Sequence, residues 1–204
     1  MFLLDCIKQK MHYTRISAFL LGALLLGGLF LAFAATRNFR AVDAVLHSPP
    51  PEASKMVQTL GPQNARQLLR YLAGEENRSY FEIWEFAQLL LGALLTGFLL
   101  FGVENRLLAS LAGAMFILTL FQHFKITPEI LWMGRSIDFL PNSAESQVRD
   151  QFWKLHGIYS GIEVVKMLLA VLVAGFLFPL RRRRVQRRVE ADAVDHARHR
   201  SVNW

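Results

Sequence analysis

Four stretches of the chain are apolar over a length that suits a bilayer, and polar residues bound each of them: 16–35, 83–103, 107–124 and 157–180. The last is the clearest. It runs from Gly157 to Leu180 and ends directly on Arg181-Arg182-Arg183-Arg184, with Arg187 and Arg188 close behind. A transmembrane helix takes roughly 20 mainly apolar residues, and this stretch meets that length. The first, Ile16–Ala35, carries no charge. Its basic lead-in (Lys8, Lys10, Arg15) and the run Ala32-Phe33-Ala34 also fit a cleaved signal peptide. The apolar stretch exceeds the roughly 7–15 residues usual for such leaders, which favours an uncleaved span. Small residues recur at a spacing of four in it (Ala18-Gly22, Ala23-Gly27, Gly28-Ala32), which predicts a close-packing helix face.

The second stretch, Ile83–Val103, opens with Glu85 and Gln88. A short turn, Glu104-Asn105-Arg106, joins it to the third, so the two are expected to be antiparallel neighbours. The third, Leu107–Phe124, ends on Gln122, His123 and Phe124 and lies near the lower length limit for a crossing.

Two polar connections remain. Thr36–Glu82 is broken by Pro49-Pro50-Pro51, and Gly61-Pro62 then reads as a helix start. Gln63–Arg78 is amphipathic, with Leu68, Leu69 and Leu72 set against Arg66, Arg70 and Glu76. It is expected to lie at the membrane surface or to run on into the next span. In Lys125–Leu155, Thr127-Pro128-Glu129 reads as an N-cap with proline in the first turn of a short helix to about Ile137. Pro141 ends that helix, and Asn142 or Ser143 caps another that runs into the last span. Tyr71, Tyr80, Phe81, Trp84, Trp132 and Trp153 suit the two interfaces. The pattern therefore predicts an all-α fold: an integral membrane antiparallel four-helix bundle with short interfacial helices in the two outer loops. It forms one membrane domain over 1–180, followed by a basic tail, 181–204, expected as a solvated helix or disorder.

Composition agrees. Of 204 residues, 53% are hydrophobic, and mean hydropathy is +0.27. The net charge of +7 would first suggest a nucleic-acid partner. Here the basic run abuts an apolar span, so topology and anionic lipid headgroups account for it better, through Arg181, Arg182, Arg183, Arg184, Arg187 and Arg188. The positive-inside rule places that end in the cytoplasm. An even number of spans then puts both termini there, in the inner membrane. The single cysteine, Cys6, cannot form an internal disulfide or a CxxC site.

Charged groups inside the last span change the picture most. At about 1.5 Å per residue, Lys166 lies roughly 14 Å from Gly157, near the middle of a core roughly 30 Å thick. A lysine there costs on the order of 3 kcal/mol. Glu163 shares its helix face at a spacing of three, and His156, Tyr159 and Ser160 fall on the same face. Glu82, Glu85, Gln88, Gln122, His123, His156, Glu163 and Lys166 all belong to the outer half or mid-depth of the bundle, where they can converge as an intramembrane polar cluster. Three readings of Glu163 and Lys166 stand: a buried ion pair that fixes packing, a proton or ion path, or a ligand contact. His123 and His156 are placed to serve as haem or metal ligands, the plainer alternative being two hydrogen-bonded interfacial histidines. There is no HExxH, no CxxCH, no glycine-rich phosphate loop and no nucleophile paired with a base, so no catalytic residue, metal site or cofactor is assigned.

The second half also resembles a family. Trp84-Glu85 opens a span, a short turn and a third span follow, then Pro128, then Phe152-x-x-Leu155-His156 leading into the last span. Over about 83–180 this is similar to the bacterial four-helix membrane proteins related to transmembrane protein 205, a domain of unknown function. The long first outer loop and the arginine run depart from that pattern. The resemblance implies fold only. The expected role is a non-enzymatic scaffold, assembly or small-solute handling subunit, with a membrane protein as a possible partner. The alternatives are a proton- or ion-coupled transporter subunit using Glu85, Glu163 and Lys166, and a membrane haem or metal protein.

Overall fold

In a computed structural model, all the regular structure of the described residues is helical. The backbone is described for residues 2–140 and 147–201, and side chains for 9, 11–140, 147–179 and 186. Six elements carry α labels: α1 Phe2–His47, α2 Pro51–Leu60, α3 Pro62–Gly97, α4 Arg106–Phe121, α5 Thr127–Ile137 and α6 Gln147–Ser201. Two short π-helical turns, Phe98–Gly102 and Gln122–Ile126, follow α3 and α4.

Among the described residues, four helices are long and apolar enough to cross a membrane: Met11–His47, Pro62–Gly102, Arg106–Ile137 and Gln147–Pro179. Their apolar side chains point largely outward. Phe19 is 73% exposed and Phe101 79%, and Phe30, Leu90, Ile117 and Leu168 are exposed as well. Water would penalise so much apolar surface, whereas acyl chains accept it. The chain is therefore a multi-pass membrane protein.

The helices run far past the apolar stretches. The 46 residues of α1 span about 69 Å at a rise of about 1.5 Å, more than twice the hydrocarbon core. The amphipathic stretch 63–78 takes the second of its two expected courses: it is the first part of α3, continuous with the apolar part. Likewise α4 does not stop at Phe124. It passes through the π turn into α5 with helical backbone at Phe121 and Thr127. The N-cap expected at Thr127 is thus corrected, because the residue sits inside a continuing helix and caps nothing with its side chain. Pro128 explains the wider turn. Its ring carries no N–H and crowds the carbonyl four residues back, and an i→i+5 turn relieves that crowding. The wider turn shows in the Thr127 N–H, which donates to the Gln122 carbonyl.

Contacts divide the chain into two compact units. The first comprises Met1–Leu25, Leu89–Ile117 and Val165–Trp204. Its core joins residues of four helices: Leu20 and Leu21, Leu95 and Leu99, Leu108 and Ala112, Ala170, Val173 and Leu177. Glu104 takes a positive φ of 57° at the turn, and Asn105 caps α4 by accepting from the Leu108 N–H at 3.1 Å. The second unit comprises Leu26–Gln88 and Leu118–Val164. There Asn77, buried, donates to the Ala35 carbonyl at 3.2 Å and accepts from Asn38 at 2.7 Å, tying α3 to α1. Trp84 belongs to this contact too. The sequence suggested an interfacial aromatic, but its indole lies against Gly27, where an added Cβ would come within 2.1 Å of the ring. Of the expected small-residue face, Gly27 is therefore a contact point, while Gly22 faces open space.

The fourth helix begins as expected, continuous from Gln147 through the last apolar stretch, and the backbone stays helical to Ser201. The expected stop at Pro141 and the cap at Asn142 or Ser143 lie outside the described residues, as do the side chains of Arg181, Arg182, Arg183, Arg184, Arg187 and Arg188.

Candidate functional site

The second unit gathers most of the polar groups that the sequence pointed to. Glu85, on α3, is 1% exposed. Both its oxygens are engaged by the α4–α5 helix: Thr127 Oγ1 donates to Oε1, and His123 Nδ1 lies 3.1 Å from Oε2. The π turn makes this possible. It carries His123, and Thr127 follows at its end, so the wider turn brings both side chains to one carboxylate. Turns of this kind recur at functional sites. The His123 ring is held edge-on by Phe86 at 5.0 Å and Phe124 at 4.9 Å.

Gln122, fully buried on the same turn, donates through Nε2 to the Tyr159 carbonyl of α6 at 3.2 Å. Gln88, one turn on from Glu85, donates to Glu163 Oε2 at 3.2 Å. The Tyr159 ring packs edge-on against Phe81 at 6.0 Å. Its buried hydroxyl lies near Glu163 and Glu85. Gln122 Oε1 is buried without a hydrogen-bond partner. An unpaired buried polar atom costs about 1–3 kcal/mol, so it marks a place where packing alone does not dictate the residue.

Ser160 is exposed. His156 stacks on Phe152 and meets Trp153 edge-on, each at 5.8 Å, so the structure does not bring the two histidines into one described contact. Lys166 is buried at 5% exposure, belongs to the first unit and has an interaction partner. Among the described residues no three His, Cys, Asp or Glu side chains are grouped to hold a metal ion.

Toward the polar end of α3, outside the apolar stretch, a charged network links α3 to the segment after α5. Arg78 pairs with Asp138 and with Glu75, and Arg135 of α5 reaches Glu75 at 3.1 Å. Hydrogen bonding from Arg135, helped by the charge of Arg78, holds the Glu75 carboxyl below its ordinary range. Gly134 leaves room for this network, since a Cβ there would lie 2.9 Å from Arg78 Nη1.

Thr127 is the site residue that sequence reasoning missed. Its hydroxyl looked committed to a cap, and only Pro128 beside it signalled an irregular turn. No protein-family model, no curated protein and no solved structure matches this chain.

Proposed function

We propose that the chain is a four-span inner-membrane protein with both termini in the cytoplasm. Its crossings form an antiparallel bundle of the kind found in proteins related to transmembrane protein 205. Its role is non-enzymatic: a scaffold, assembly or small-solute handling subunit whose buried polar cluster specifies how the helices pair. The observation that carries this reading is Glu85, almost wholly buried in an apolar helix and engaged on both oxygens by side chains of a second helix. Polar groups satisfied across helices in this way fix register, because any other pairing leaves a carboxylate in hydrocarbon.

A proton- or ion-coupled role is the second reading. It draws on His123, whose side chain is 24% exposed, against 1% for the Glu85 that it contacts. The haem or metal reading has no comparable support, since His123 and His156 sit in separate aromatic contacts.

Topology is tested by cysteine labelling in intact cells, in a Cys6→Ser background. A membrane-impermeant maleimide should reach S54C, on α2, from outside. It should reach E104C and S201C only after permeabilisation. Labelling of E104C in intact cells would reverse the assignment.

A further inference from the structure

We infer that the π turn Gln122–Ile126 is a two-state joint: in its wide form it lets one helix hold two partners at once, and Pro128 keeps it wide. The inference needs only the packing within the second unit and does not depend on the topology or the role proposed above.

The helix made of α4, the turn and α5 is keyed differently on the two sides of the joint. Gln122, fully buried at the start of the turn, donates through Nε2 to the Tyr159 carbonyl of α6 at 3.2 Å. A backbone carbonyl only accepts, so the amide cannot be reversed, and the contact fixes which way this side of the joint faces. Past the turn the polar contacts go to α3. Thr127 meets Glu85, Arg135 meets Glu75 at 3.1 Å, and Asp138 meets Arg78. His123, within the turn, also reaches Glu85. The pairs on α3 run antiparallel and in step: Glu75 precedes Glu85 by ten residues, about 15 Å of helix, and Thr127 precedes Arg135 by eight, about 12 Å.

The joint reconciles these two registers. Closing it to an i→i+4 turn rotates α5 against α4 by about one residue step, roughly 100°. At a side-chain radius of about 5–6 Å that carries a side chain through about 8 Å, far beyond contacts of 3.1 Å and 3.2 Å. The closed form therefore keeps Gln122 on α6 or keeps Thr127, Arg135 and Asp138 on α3, and not both. A regular α turn is otherwise the favoured one, since π turns are rare. Pro128 reverses the preference: it has no N–H to offer the Phe124 carbonyl, and its ring presses on that oxygen in a regular helix. Without Pro128 the single Gln122 contact yields to the three on α3, and the α3 register captures the whole helix.

Thermal melts of the purified full-length protein test this. Gln122→Met should lower the melting temperature of the parent, and by less than half as much in a Pro128→Ala protein, where the contact is already lost. Asp138→Asn should cost the same in both. Phe124 is 67% exposed, so its deletion removes little packing. Deleting it from Pro128→Ala takes out the extra residue of the turn, so a regular helix again meets both partners. That variant should melt above Pro128→Ala and regain its full sensitivity to Gln122→Met. If Pro128→Ala alone does not fold, the deletion still decides, because it should restore a cooperative melt. The joint is overturned if Gln122→Met costs nothing in the parent, or if it costs as much without Pro128 as with it. It is equally overturned if the cost of Asp138→Asn is the one that disappears, or if the deletion brings no recovery.

Discussion

Replacing Glu85 with leucine should lower the stability of the folded protein by about 3 kcal/mol, although leucine suits a membrane helix far better than glutamate does. The two effects act at different stages. Insertion should improve, because leucine favours the helix centre by a few tenths of a kcal/mol while a charged side chain costs roughly 2.5–3.5 kcal/mol. Packing should worsen, because Thr127 Oγ1 and His123 Nδ1 both lose their acceptor inside protein. Each group so orphaned costs about 1–3 kcal/mol. Glu85→Gln keeps an acceptor oxygen for Thr127 and should cost about 1 kcal/mol. Thermal unfolding of detergent-purified variants, beside their yield in the membrane fraction, separates the stages. The expected pattern is Glu85→Leu inserted in normal amount but melting well below the parent. Equal melting of the two variants would mean that the carboxylate is not structurally engaged.

The second large effect is expected at Gly27. A methyl group there would sit 2.1 Å and 2.4 Å from indole carbons of Trp84, closer than atoms can approach. The indole is rigid and belongs to the same span as Glu85, so relief requires a shift of a helix or a strained rotamer. Overpacking of this sort costs about 1–3 kcal/mol, and more for larger side chains. Gly22→Ala is the internal control. Nothing lies within 4 Å of its added carbon, and alanine is the better helix former, so no loss is expected. Pairing Gly27→Ala with Trp84→Phe should recover part of the stability. A Gly27→Ala protein as stable as Gly22→Ala would remove this contact from the account.

These two positions also show what the sequence could and could not reveal. The four crossings were legible because hydropathy over long windows is a one-dimensional signal, and the apolar stretches end where charge begins. Glu85, Gln88, His123 and Glu163 were legible as candidates for the opposite reason: polar residues are costly in apolar helices. Their partners were not legible. Thr127 reads as a cap in isolation, and only the π turn around Gln122–Ile126, itself a response to Pro128, swings it toward Glu85. Ser160 shares the helical spacing of Tyr159 and Glu163 yet is exposed, since a spacing of three or four covers a wide arc and its edge need not meet a neighbour. The polar connections were legible only in part. For 63–78 the pattern left two courses open, and the helix continues across the boundary where hydropathy changes, as it does from α4 into α5. Hydropathy marks where lipid ends, not where a helix ends.

The central claim is that Glu85 is a buried acceptor engaged by side chains of a second helix, and a double-mutant cycle on Glu85→Leu and Thr127→Val measures it directly. Reversible unfolding of the parent, both single variants and the double variant in mixed micelles gives the coupling. Hydrogen bonds to a charged partner contribute about 1.5–3 kcal/mol, and membrane helix pairs often less, so a coupling of about 1–2 kcal/mol is predicted. Strict additivity of the two substitutions would contradict it.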